Sequence, residues 1–163
     1  MTFGFGNQVG GLAFSPDGAM LAIPGSVGNV TIWDPFTGNQ LFMLPGDDNA
    51  VIDVTFSPDS RHLATANIDG TARVWDIDSR ERLITMRGHD GGVFGVDFSP
   101  DGQLIATAGE DGTVRVWEAD SGKEQSIFFG HEDLVLNVSF SPDGRRLASS
   151  SEDNTTIIWD ITR

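Results

Sequence analysis

Three histidines, a recurring Ser-Pro-Asp and the adjacent acids Asp47-Asp48 and Glu132-Asp133 are residues of this chain whose types could carry chemistry. A histidine at 62, 89 or 131 could serve as general base for a serine nucleophile if a third group oriented the imidazole. The serines do not suit that role. Ser-Pro-Asp begins at Ser15, Ser57, Ser99 and Ser141, and a nucleophile has no reason to recur four times. Proline that presets φ and aspartate that bonds the local backbone are turn chemistry. His62 lies beside one of these turns, and no motif places a nucleophile near it. Asp47-Asp48 and Glu132-Asp133 lack the alternating Asp-x-Asp-x-Asn spacing of a calcium loop. With no cysteine in 163 residues, thiolate catalysis, disulfides and cysteine metal sites are excluded together. The residues therefore read as those of a non-enzyme with no cofactor and no metal.

The turns belong to a larger unit. Phe-Ser-Pro-Asp starts at Phe14, Phe56, Phe98 and Phe140, and tryptophan falls at Trp33, Trp75, Trp117 and Trp159, so both markers step by 42 residues. The cleanest copy runs from Gly88 to Trp117. Within it, Val93 to Phe98 is a short apolar run ended by Ser99-Pro100-Asp101-Gly102, and the chain returns through Leu104 to Ala108. It turns again at Glu110-Asp111-Gly112, where an Asp-Gly pair between apolar runs is a strong hairpin signal. Thr113 to Trp117 is a third strand, and Gln125 to Phe129, after Ser121-Gly122, is a fourth. Two copies vary the turn glycines, with Ser60 in the first turn of copy two and Asn154 in the second turn of copy four. The strands do not alternate cleanly between apolar and polar residues, as in Leu104-Ile105-Ala106, which implies burial on both faces. One such sheet cannot cover itself, so stability must come from stacking.

The formal charge is −14. Eleven of the 24 acids occupy recurring places in the unit, after Ser-Pro, before the second turn and after tryptophan, leaving 13 acids against 10 bases. The imbalance is thus largely structural, yet a surface this acidic repels phosphate backbones and lacks the basic stripe of a nucleic-acid binder. Residues 1–11 have neither the basic start nor the apolar core of a signal peptide, and no run approaches the roughly 18 apolar residues of a membrane span. The absence of cysteine suits a reducing compartment. These features read as a soluble, cytoplasmic protein that binds neither nucleic acid nor membrane.

The 42-residue period, with Gly-His near its start and tryptophan followed by an acid at its end, resembles the WD-repeat family of β-propellers. The resemblance covers essentially the whole chain. It implies an all-β array of four WD-repeat blades, each of four antiparallel strands, in one domain spanning 1–163 with blades at roughly 7–45, 46–87, 88–129 and 130–163. It also implies a hydrogen-bonded chain inside each blade, supplied by His89, Thr107, Asp111 and Trp117 in the third and by His131, Ser149, Asp153 and Trp159 in the fourth. The second copy has Thr65, Asp69 and Trp75 but Asp47 in the histidine position. The first keeps only Trp33, with Phe5, Ile23 and Val27 in the other places.

Propellers of this family serve as non-catalytic scaffolds that present a protein or peptide binding surface on one end of the ring. Carried over position by position, the contact residues are Gln8, Ala50, Gly92 and Leu134, then Gly10, Ile52, Phe94 and Leu136, then Ser26, Ile68, Glu110 and Glu152. Ile52, Ile68, Phe94, Leu134 and Leu136, flanked by Glu110 and Glu152, are the partner-binding candidates. The alternative is a self-assembling structural module, or half of a larger signalling-protein propeller, with no ligand of its own. In repeat alignment, Met1 to Gly4 corresponds to Met43 to Gly46 and Arg163 to Ser121, so the last blade lacks its outermost strand. The expectation is a homodimer in which residues 1–4 complete the last blade of the other chain and two chains close an eight-bladed ring, the alternative being a four-bladed ring that one chain closes with its own residues 1–4.

Overall fold

The computed structural model describes residues 10–25, 27–46 and 49–162. Among the described residues, fifteen strands form four antiparallel sheets. The first sheet holds β1 (Ala13–Phe14), β2 (Leu21–Pro24), β3 (Val30–Trp33) and β4 (Gln40–Leu44). The second holds β5 (Val51–Phe56), β6 (His62–Asn67), β7 (Thr71–Asp76) and β8 (Arg82–Arg87). The third holds β9 (Val93–Phe98), β10 (Leu104–Gly109), β11 (Thr113–Glu118) and β12 (Glu124–Phe129). The fourth has three strands, β13 (Val135–Phe140), β14 (Arg146–Ser151) and β15 (Thr156–Asp160). Each sheet runs inner strand to outer strand in chain order, the arrangement of a propeller blade. The segment 1–4 and the positions Phe5, Gln8, Ser26 and Asp47 lie outside the described residues.

The Ser-Pro-Asp turn is built the same way four times. The serine hydroxyl donates to the aspartate two residues on, at 2.5 Å for Ser15–Asp17 and Ser57–Asp59 and 2.6 Å for Ser99–Asp101 and Ser141–Asp143. The same serine oxygen accepts the backbone N–H that opens the return strand, from Met20, His62, Leu104 and Arg146. These serines are committed to holding the hairpin. The turn demands left-handed backbone at its last position, and Ser60 adopts it at φ 62° where Gly102 and Gly144 sit at 73° and 69°. In the second turn of the fourth blade, Asn154 is left-handed at φ 66°, where Gly70 and Gly112 have 79° and 74°.

Blades stack through their inner strands, β1 on β5, β5 on β9 and β9 on β13, and among the described residues no comparable packing joins β13 to β1. Three apolar cores lie between blades rather than within them. Ala22, Val30, Ile32 and Leu44 of the first blade pack on Val54, Phe56 and Leu63 of the second. Ala64, Ala66, Val74 and Met86 pack on Val96, Phe98 and Ile105, and Ala106, Val114 and Val116 on Val138, Phe140 and Leu147. Burial on both faces therefore holds for β6, β7 and β10 but not for the fourth blade, where β15 is half exposed along its length. The outer strands β8 and β12 are largely exposed.

Candidate functional site

The inner strands of three blades are irregular at one point. In β5 the ladder passes from Val51 opposite Asn67 to Asp53 opposite Ala66, leaving Ile52 unpaired. In β9 it passes from Val93 to Gly95, leaving Phe94 unpaired, and in β13 from Val135 to Asn137, leaving Leu136 unpaired. These are β-bulges, which re-aim a side chain and recur at the rims of closed sheets and beside functional sites. The bulged residues are repeat equivalents, so three of the partner-binding candidates share one backbone device. Period-two reading of the strands gave no sign of it.

A second recurring contact brings the loop candidates to the same end. Ile68, Glu110 and Glu152 donate backbone N–H bonds to the carbonyls of Ala50, Gly92 and Leu134, at 3.0, 2.8 and 3.0 Å. The Glu110 carboxylate in addition accepts the Gly92 N–H at 2.9 Å. A Cβ on Gly92 would lie 2.9 Å from the Phe94 ring and 3.1 Å from Ile68 Cδ1, so these two side chains close over Gly92 across the boundary between the second and third blades. Ile68 and Leu136 are exposed, Ile52, Phe94 and Leu134 are half-buried, and Glu110 and Glu152 are exposed. Repeat equivalence thus sets apolar residues at corresponding positions of three blades, with the exposed Glu110 and Glu152 in the neighbouring loops. Gly10, the corresponding residue of the first blade, is packed too close to the Ile52 carbonyl to carry a side chain.

Behind this surface lies the polar chain of each blade. His89 Nδ1 is 2.9 Å from Asp111 Oδ1, His89 Nε2 is 2.8 Å from Thr107 Oγ1, and Trp117 Nε1 donates to the same hydroxyl oxygen at 2.9 Å. Because an ionised Asp111 only accepts, Nδ1 carries the histidine proton, and the Thr107 hydroxyl donates to Nε2 while accepting from the indole. Burial favours the neutral Asp111 carboxyl, but hydrogen bonds from Thr113, His89 and the Asp90 N–H outweigh it and hold the group down to about 2. Burial lowers the His89 imidazole below its ordinary value, which keeps the ring neutral. The fourth blade repeats the arrangement with His131 2.8 Å from Asp153 and 2.8 Å from Ser149, and with Trp159 donating to Ser149 at 2.9 Å. Its Asp153 is held far below the carboxylate range, first by the Thr155 hydroxyl.

The other two blades use substitutes that sequence reasoning did not find. In the second, the buried Asn67 amide donates to Thr65 Oγ1 at 3.3 Å, and Trp75 Nε1 donates to that same oxygen at 3.3 Å. Asn67 fills the room a histidine takes in the third blade, where Gly109 leaves space for the His89 ring. In the first, Thr31 accepts the Trp33 indole N–H at 2.9 Å and donates to the Ile23 carbonyl at 3.2 Å, so Trp33 is not left alone among apolar residues. The signal was a hydroxyl two residues before tryptophan, a place where the other copies carry Arg73, Arg115 and Ile157.

His62 lies 4.0 Å from Asp59 and 3.9 Å from Asp76, and the neighbouring Ser57 hydroxyl is committed to Asp59 at 2.5 Å. It lines a cavity of about 450 Å³ with Pro58, Leu83, Phe98, Asp101 and Asp120, at the end of β5 and β9 remote from Ile52 and Phe94. Among the described residues, no group of three or more His, Asp and Glu side chains is placed to hold a metal ion. Asp133 accepts the Leu134 N–H at 2.8 Å, and Asp47-Asp48 lies outside the described residues. No helix of the described residues is long and apolar enough to cross a membrane.

Antiparallel sheets of this size, stacked inner strand on inner strand with a tryptophan-centred polar chain in each, define a propeller-type repeat array. The family model of the WD domain, G-beta repeat, matches residues 38–76, 80–118 and 122–160, well over half of the chain. This chain belongs to the WD-repeat family. Each matched segment joins the outer strand of one blade to the three inner strands of the next, and the match begins only after the first blade's tryptophan. A search of curated proteins found no significant match.

Proposed function

We propose that the chain is a non-catalytic scaffold that binds a protein or peptide across the strip formed by Ile52, Ile68, Phe94, Leu134 and Leu136, with Glu110 and Glu152 selecting a basic residue at its edge. The observation that carries this reading is the bulge repeated at Ile52, Phe94 and Leu136, which takes three apolar side chains out of their ladders at one end of the array. Apolar anchors ringed by polar groups are the usual source of affinity in protein interfaces. A charge of −14 favours a basic protein segment over nucleic acid or an anionic membrane, and the absence of cysteine suits the cytoplasm. Phe94→Asp and Leu136→Asp, with unfolding midpoints close to wild type, should lose partners that the wild-type chain retains in pull-down. Full retention by both variants would sink the strip as a binding site.

A second reading concerns assembly, and it is favoured by the apolar faces left open on the first and fourth blades. We propose that two chains close an eight-bladed ring. Light scattering should give twice the 17.5 kDa chain mass, and a mass of one chain would remove the ring while leaving the binding strip untouched.

A further inference from the structure

The three cores between blades are copies of one interface, and both halves of a fourth copy are exposed among the described residues. Phe56, Phe98 and Phe140, at 5, 7 and 8 % exposure, insert from one blade against the one before it, whereas their equivalent Phe14 is 59 % exposed. Leu12 is exposed in the same way, although its equivalents Val54, Val96 and Val138 are buried. At the other end, Ile32, Val74 and Val116 are 0, 3 and 4 % exposed beneath the following blade, but Ile158 is 60 % exposed. The open face on the first blade is thus the inserting half and that on the fourth is the receiving half. The Ser-Pro-Asp-Gly turns say the same. A Cβ on Gly102 would lie 3.5 Å from Pro58 and one on Gly144 3.6 Å from Pro100, each in the preceding blade, while Gly18 has nothing within 4 Å.

The inner strands add a polar match. One position of the unit reads Gly11, Asp53, Gly95 and Asn137, small and polar in alternation. Each glycine lies against the polar residue of the next blade, Gly11 against the Asp53 carboxylate and Gly95 against the backbone of Asn137. Asp53 in turn reaches forward and accepts the backbone N–H of Val96 at 3.2 Å. Asn137 is exposed. The residue pair that would continue the series is Gly11-Leu12.

We infer that the receiving face of the fourth blade, at Ala148 and Ile158, binds the inserting face of a second copy at Leu12 and Phe14, with the Asn137 side-chain oxygen accepting the Leu12 N–H of that copy. The inference rests on the two-chain ring proposed above and names its contacts. The occupant is a second copy because each face is the repeat-for-repeat complement of the other, in apolar side chains, turn contact and inner-strand alternation at once. Such a contact is head to tail, and two chains related by a two-fold axis use it twice.

The test follows from that asymmetry. The wild-type chain should run at twice 17.5 kDa by light scattering, and Phe14→Asp and Ile158→Asp should each run at the mass of one chain. Both side chains are exposed in the single chain, so circular dichroism and the tryptophan emission of each variant should match a diluted wild type. Mixing the two variants in equal amounts should restore the doubled mass, because each mixed pair contains one interface free of either substitution. A wild-type monomer overturns both the ring and this interface. A wild-type dimer that both variants leave intact, or a mixture that stays monomeric, overturns this interface while the two-chain assembly stands. A ladder of larger masses overturns the closed pair.

Discussion

Asp97 in β9 accepts the backbone N–H of Phe140 in β13 at 2.7 Å, tying the inner strands of the third and fourth blades together. Ser139 donates to the same carboxylate oxygen at 3.2 Å. The contact parallels the bond from Val96 to Asp53 one blade earlier, and in both cases burial raises the carboxyl above its ordinary value.

Asp97→Ala should therefore cost about 1 to 3 kcal/mol, because it leaves the Phe140 N–H without its acceptor at a blade junction. Asp97→Asn keeps an acceptor oxygen and removes the charge, and it should be at least as stable as wild type at pH 7. The sign follows from the raised carboxyl: its contribution is full below the unfolded value near 3.8 and is lost as pH rises through the folded one. The advantage of Asn over Asp should accordingly vanish at pH 3. Denaturant midpoints at the two pH values decide it, and an Asn variant as weak as Ala would show that the charge itself is needed.

The polar chain of the third blade makes a sharper comparison. Asp111→Ala removes the acceptor of His89 Nδ1 and of the Asp90 and Thr113 N–H groups, and should cost about 1 to 3 kcal/mol. Val27 occupies the same repeat position in the first blade and is exposed, so Val27→Ala should stay within about 0.5 kcal/mol. Equal unfolding midpoints for the two variants would show that the chain of bonds contributes nothing to stability.

What could be read from the sequence was what a single blade decides for itself. The Ser99-Asp101 and Asp111-Gly112 turns, and the spacing from His89 to Trp117, are local chemistry repeated at a fixed interval, so strands, sheet order and blade count were all legible. The bulges at Ile52, Phe94 and Leu136 were not, because register is a relation between two strands and an unpaired residue leaves no mark in composition. Asn67 and Thr31 were missed for another reason: each replaces a lost partner from a different position, so column-by-column comparison of the copies shows only a gap. Asp53 and Asp97 bond across blade boundaries, and nothing in either strand alone distinguishes them from the many solvated acids of this chain. Phe14 and Ile158 look like their buried equivalents in sequence, and only the stacked blades reveal that both are exposed.

A strained turn offers a test of backbone control. Arg80 has φ 62° at the position where Gly38 and Gly122 have 71° and 69°, and its guanidinium lies 4.7 Å from the centre of the Phe42 ring. Both Arg80→Gly and Arg80→Ala lose the cation–π contact, but only glycine adopts left-handed backbone without penalty. The Gly variant should exceed the Ala variant in stability by about 1 kcal/mol. Identical thermal midpoints would mean that the turn relaxes when the arginine leaves.

The same chemistry fixes how stability should respond to acid. His89 is held below its ordinary value by burial, so the native fold prefers the neutral ring. Its contribution is full above the unfolded value near 6.5 and declines as pH falls below it. Asp111 is held at about 2, so its contribution is full above the unfolded value of about 3.9 and declines between there and pH 2. After allowance for partial exposure, Asp111 should supply about 1 to 2 kcal/mol at pH 7. Wild-type midpoints should thus fall in two stages on acidification, first below pH 6.5 and then below pH 4. Asp111→Asn should flatten the second stage, because its side chain has no proton to gain. A variant that keeps the full drop below pH 4 would assign that limb to other carboxylates, the strongly depressed Asp153 first among them.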